Sequence, residues 1–261
     1  PGAGAAGRAF VGSTATDCRR RCTVSGYCSR RDFQGHEPFA GVPPPAWVER
    51  FRSDDLDEVR ETVARTDGEH SRVAHGTGPL GYEVAWLKGE LVSMAWARVA
   101  LPTTLRGELP NVVLHLVTPA CSRYRFGRRE YDTSPTDALF VADRWEFTRR
   151  CPPGMSFALD LDKRALLEEV TARSAGRPGS PMLTSQRLVI SDAGRVRLLT
   201  AVSSLVDGRA PGASIQAARR LEGDLLGVIA DFLVNQSAVV RTRVTNARIA
   251  DLEGWIEANL E

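Results

Sequence analysis

The sequence is short of the residues from which metal and redox centres are made. It holds four His, five Cys and three Met among 261 residues. An odd Cys count does not build a disulfide framework, so reduced thiols are expected. Cys18, Cys22 and Cys28 cluster in "CRRRCTVSGYCSRR", but a structural zinc site wants four ligands. The nearest fourth candidate is His36, in an irregular Gly/Pro context, so the alternative of an unstructured leader is favoured over zinc. A charge of one sign is also missing: 34 Lys plus Arg stand against 32 Asp plus Glu, a formal +2 that neither supports nor excludes contact with nucleic acid. No run is long and apolar enough to span a membrane, and the N-terminus lacks the basic start and apolar stretch of a secretion signal, so a cytoplasmic location is expected. Catalytic signatures are missing as well. There is no Gly-x-Ser-x-Gly elbow, no phosphate-cradling Gly-rich loop and no His-Glu-x-x-His. Neither a metal, a cofactor nor an enzymatic activity is expected.

The remaining 43% hydrophobic content is enough for a core. Its patterning divides the chain. Residues 1–45, rich in Gly, Arg, Ser and Pro and closed by Pro43, Pro44 and Pro45, read as a disordered leader. A short helix follows, capped at Ser53 and ended by Gly68, with Leu56, Val59 and Val63 on one face. From about 71 to 160 come short runs rich in Val, Leu and aromatics, such as "YEVAWL", "LVSMAWARVAL", "NVVLHLVT", "DALFVA" and "MSFALDL", separated by turn residues. Many short strands without room for crossover helices predict an antiparallel β-barrel or sandwich. Helical periodicity returns after 161, with caps at Asp162 and Ser191 and a long helix over 214–235. The expected organisation is a sensor barrel over 46–180, a helical linker or dimerisation region over 181–242, and one further helix over 243–261. Pro1 and a terminal helix with no stop signal lead us to expect a fragment at both ends.

Four residues are candidates for lining a ligand site in the barrel. In the strand "LVSMAWARVAL" the period of two puts Met94, Trp96 and Arg98 on one face and Ser93, Ala95, Ala97 and Val99 on the other. The bulky face is either a ligand wall, with Arg98 as an anion hook, or an outer face packed under helices. His115, inside a strong strand, reads as a core or pocket imidazole rather than a metal ligand. Tyr124 supplies a further hydrogen-bonding head. The basic run Arg123, Arg125, Arg128 and Arg129 reads as a solvated hairpin. On the long helix, Leu221, Leu225, Ile229 and Phe232 form one line with Leu226 and Leu233 beside it, wider than one barrel wall would use. This predicts a homodimer interface. Gly223 and Gly227 on the same helix predict a close neighbour.

The order of parts resembles the N-terminal, AraC-binding-like (cupin-type) region of AraC/XylS-family transcriptional regulators. Asp137, Leu139, Asp143, Arg144, Phe157, Leu159, Leu161, Leu166 and Leu167 occupy places that match this pattern, while Thr136 replaces a usual Gly and Trp145 a frequent Pro. Ile249, Trp255, Ile256, Asn259 and Leu260 resemble the first helix of that family's helix-turn-helix domain. The resemblance covers about residues 47 to 261. It implies an α+β fold, a cupin-like jelly-roll barrel followed by dimerisation-type helices, and a small-molecule effector bound by the barrel. DNA contact is expected only through a C-terminal domain that the chain lacks. A stand-alone cupin-like binding protein or barrel enzyme is the competing reading.

Overall fold

A computed structural model describes residues 43–117, 122–133, 137–142, 146–174 and 183–236. The leader cysteines and His36, the positions Thr136, Asp143, Arg144 and Trp145, and the segment resembling a helix-turn-helix entry lie outside them.

The strands are β1 (Glu49–Ser53), β2 (His70–Ala74), β3 (Tyr82–Leu87), β4 (Val92–Val99), β5 (Thr103–Glu108) and β6 (Val112–Val117). They continue with β7 (Arg123–Phe126), β8 (Arg129–Asp132), β9 (Asp137–Val141), β10 (Glu146–Cys151), β11 (Gly154–Leu161) and β12 (Gln186–Val189). The helices are α1 (Leu56–Asp67), α2 (Lys163–Arg173), α3 (Asp192–Gly208) and α4 over 215–236. All the pairings are antiparallel. A seven-stranded sheet in the order β1-β3-β4-β11-β6-β9-β12 faces a five-stranded sheet in the order β2-β5-β10-β7-β8. This is the expected α+β jelly-roll sandwich followed by packed helices.

Alternation within the strands of the larger sheet builds three layers. Val92, Met94 and Trp96 of β4, Leu114 and Leu116 of β6, and Phe157, Leu159 and Leu161 of β11 turn outward into one cluster with α2, α3 and α4. Trp96 packs in a tilted arrangement against its register partner Phe157, with ring centroids 5.1 Å apart. The opposite faces look toward the smaller sheet, where Val113, Tyr124, Phe126, Leu139, Val141 and Phe147 form a second cluster. β9 is buried on both faces, which explains the unbroken apolar run "ALFV" after Asp137. The edge strand β12, which pairs with β9, falls inside the stretch read from sequence as helical. With only four residues it offers too little period to be seen.

The helix caps follow the sequence, with one shift. Asp162 caps α2 by accepting from Ala165 N at 2.7 Å, and Ser191 caps α3 by accepting from Gly194 N at 3.1 Å. At α1 the cap is Asp55 rather than Ser53: its carboxylate accepts from Asp57 N at 2.8 Å. Ser53 ends β1 and its hydroxyl accepts from Asp55 N instead, at 3.0 Å.

The position of α4 corrects the expected interface. Leu225 and Ile229 are fully buried in this chain's own core, and Leu221 and Phe232 pack half-buried against the same cluster. The wide apolar face is used between the larger sheet and the other helices, so exposing it would unmake the fold. A Cβ added at Gly227 would approach the Arg173 guanidinium within 2.5 Å, whereas Gly223 has nothing within 4 Å. Glu222, with no exposed surface, ties α4 to the β3–β4 turn. Its carboxylate accepts from the backbone N–H groups of Glu90, Leu91 and Val92 and pairs with Arg209.

Candidate functional site

Small side chains on one wall leave a space between the sheets. On the larger sheet Ala97 is the register partner of Ser156, and Ala95 and His115 flank Ala158. The bulky face of β4 packs under the helices, so the methyl-sized face looks inward. The opposite wall is one row of register partners across the smaller sheet: Arg72 of β2, Leu105 of β5, Arg149 of β10 and Tyr124 of β7. Between these walls lies a cavity of about 100 Å³, continued past Arg72 and Arg149 by a smaller one of about 50 Å³. The scale is near the roughly 150 Å³ that admits a benzene-sized molecule.

The charges in this space are unusual. Arg72 and Arg149 retain only 6% and 7% of their exposure, and neither pairs with a carboxylate among the described residues. Each lies against an aromatic ring, Arg72 at 4.7 Å from the Tyr82 centroid and Arg149 at 5.2 Å from that of Tyr124. A desolvated cation–π contact is worth about 2 kcal/mol, whereas taking an ion out of water costs several. The rings therefore offset part of the burial cost and leave the rest uncompensated.

Arg149 Nη1 lies 3.2 Å from His115 Nε2. Because a guanidinium can only donate, Nε2 accepts, and the imidazole is the neutral tautomer with its proton on Nδ1. Burial, and then the charge of Arg149, hold the His115 pKa well below its ordinary 6.5. Burial likewise pushes the Tyr124 phenol upward, against the opposing influence of Arg149. Among the described residues, His115 Nδ1, Tyr124 Oη, Ser122 Oγ and the Nε atoms of Arg72 and Arg149 are buried without a hydrogen-bond partner. Asp160 and Glu108 border the far end of the larger space, and burial raises Asp160 to about 6. Among the described residues no group of three His, Cys, Asp or Glu could hold a metal ion.

No family profile matches the sequence, and no curated protein matches it either. Comparison of structures does find likeness. The AraC-like transcriptional activator CuxR superposes with a TM-score of 0.56 at 10% identity, over 71% of this chain and 69% of that one. ToxT from Vibrio cholerae gives a TM-score of 0.41 at 7% identity, over 57% of this chain and 58% of its own. A cupin superfamily protein from Desulfitobacterium hafniense DCB-2 gives 0.26 at 13% identity, over 36% of this chain and 79% of its own. At such an identity the CuxR match shows the fold alone: a two-sheet antiparallel sandwich followed by packed helices.

Of the four residues proposed from sequence as ligand-lining, the structure brings His115 and Tyr124 together, with ring centroids 5.9 Å apart. Trp96 is a correction: it lies on the helix-facing side of β4, away from the cavity. Arg98 is exposed and borders the smaller space. Sequence reasoning missed Arg72 and Arg149. For Arg149 a signal existed, because alternation in "EFTRRC" places it on one face with Phe147 and Cys151, both buried. Arg72 lies in "HSRVA", too short and polar to be recognised as a strand. No helix of the described residues is long and apolar enough to cross a membrane.

Proposed function

We propose that this chain is the effector-sensing and dimerisation region of a DNA-binding transcriptional regulator of AraC type, and that its effector occupies the space between the sheets. The observation that carries the reading is the cavity itself. Apolar walls enclose two buried, carboxylate-free guanidiniums and several unpaired donors, which is the make-up of a specific small-molecule site. The fold shared with CuxR supports the same reading. So do the residues in 249–260 that resemble a helix-turn-helix entry, the element to which DNA contact would fall.

Binding, rather than a reaction, also suits the protonation states. His115 is held neutral and Tyr124 is held as a phenol, so neither exchanges its proton near pH 7 as an acid–base catalyst must. Asp160 titrates closer to neutrality, but it lies at the other end of the cavity, roughly 13 Å along β11 from Ser156. Two copies would pair in a closed two-fold manner, through surfaces other than the buried Leu225 and Ile229.

The test is a chimera that joins this chain to a DNA-binding domain able to repress a reporter only as a pair. A small molecule that stabilises the chain should change repression, and filling the cavity by Ala97→Phe should abolish the response. Constant repression in the presence of a bound compound would instead make the chain a stand-alone binding protein.

A further inference from the structure

The unpaired groups around the cavity share a polarity. Among the described residues, the Nε atoms of Arg72 and Arg149 and the protonated Nδ1 of His115 are donors with no acceptor, and the hydroxyls of Tyr124 and Ser122 are left to donate. A neutral polyol would bring as many donors of its own as acceptors and leave several of these groups unmatched. An oxyanion brings acceptors alone, together with the charge the two guanidiniums lack. Their fork geometry suits a planar carboxylate. Register fixes where it would lie: Arg72 and Arg149 are both partners of Leu105, one on each side, so the two cations straddle a single apolar residue. Beyond them the lining is aliphatic and aromatic, with Val84, Val113, Val141 and Phe147. The far end carries Glu108 and Asp160, which disfavour a second negative charge.

We propose that the interior site takes a compact organic monocarboxylate, whose carboxylate is received by Arg72 and Arg149 and whose apolar body fills the space beside Val113 and Phe147. The proposal rests on reading this space as the effector site. It names the ligand's charge, the residues that hold it and its size, limited by the volume of about 100 Å³. In the bound state the carboxylate would compensate both buried cations at once. Affinity would therefore depend on each arginine rather than on their sum.

The arginine Nε–H groups provide the readout, because each gives its own signal in a proton–nitrogen correlation spectrum of the full chain. The chain is titrated in parallel with benzoate and acetate, with the isosteric benzamide and acetamide, and with succinate. The expected result is a saturable shift of the Arg72 and Arg149 Nε–H signals with benzoate. Benzamide and succinate should bind at least about 10-fold more weakly, as the loss of charge-assisted hydrogen bonds or a like charge at the far end requires. Arg72→Gln and Arg149→Gln should each weaken benzoate by about 10- to 100-fold. Arg106→Gln, on the outer face of β5, should leave it unchanged. If a cavity variant fails to fold, the benzoate-to-benzamide ratio on the unaltered chain decides. Equal binding of benzoate and benzamide overturns the monocarboxylate assignment while leaving an interior effector site in place. Benzoate binding that moves neither Nε–H signal and survives both arginine variants overturns it too, by placing the anion elsewhere. Saturation by none of the compounds overturns the monocarboxylate assignment, while the interior effector site stands or falls with the chimera and Ala97→Phe.

Discussion

Removing the carboxylate of Glu222 should cost this chain a large part of its stability, because of the number of groups that depend on it. The side chain is fully buried on α4 and satisfies three backbone N–H groups in the β3–β4 turn as well as Arg209, whose side chain keeps 19% of its exposure. Arg209 in turn donates through Nη1 to the carbonyl of Lys88 in the same turn. Glu222→Ala therefore leaves a partly buried cation and three donors without acceptors. Breaking a buried pair costs about 3–5 kcal/mol, and each orphaned N–H would add about 1–3 if nothing relaxed. Partial access of water to Arg209 and a shift of the turn should hold the total near about 4 kcal/mol, against a typical domain stability of about 5–15. Arg209→Ala should cost less, about 2 kcal/mol, because the three N–H groups still satisfy the carboxylate. The double variant should then fall short of the summed losses by about 1–2 kcal/mol. Urea unfolding followed by circular dichroism measures all three, with the m-value constant if unfolding stays cooperative. A Glu222→Ala loss below about 0.5 kcal/mol, the scale of an ordinary surface substitution, would refute the view that this carboxylate fastens the helices to the sandwich.

Other expectations follow from the same geometry. Asp160 is raised from 3.8 to about 6 by burial, so the folded chain holds an extra proton between those values and stability falls as pH rises through that window. Asp160→Asn should remove this slope and stabilise the chain at pH 7 by about 2–3 kcal/mol, read from denaturation at pH 4 and pH 7. His115 is displaced the other way: the unfolded chain takes up a proton that the folded one refuses, so its contribution is lost as pH falls below 6.5, and His115→Gln should flatten that part of the profile. Leu225→Ala should cost about 2–5 kcal/mol in thermal or urea unfolding, since the side chain is fully buried among the helices and the larger sheet. Ile229→Asp should abolish folding rather than release a folded monomer. Light scattering of the unaltered chain at tens of micromolar should still find a pair, and a monomer there would end the dimer proposal.

The layers were legible because alternation in strands such as β4, β6 and β11 is strong. Which side of β4 faces the interior was not. Met94, Trp96 and Arg98 make the more conspicuous face, yet volume decides the matter: Trp96 needs the deep layer under the helices, and Ala95 and Ala97 can stand opposite a second sheet. Spacing shows the breadth of the apolar face on α4, but it does not tell an intramolecular neighbour from a second copy. Leu225 and Ile229 are used within the chain. The arginines of the site escaped notice because a guanidinium in a short strand normally reaches solvent. Only the pairing of β2 with β5 and of β5 with β10 brings Arg72 and Arg149 to either side of Leu105.

Whether a small molecule is held between the two sheets is decided by a crystal structure of the chain with a compound that raises its unfolding temperature. The compound should lie in the space bordered by Arg72, Arg149, His115 and Tyr124, with an acceptor group against the two guanidiniums. A compound found instead on the outer surface, for instance in the groove bordered by Glu169, Arg197 and Asp231, with the space between the sheets unfilled, would contradict it.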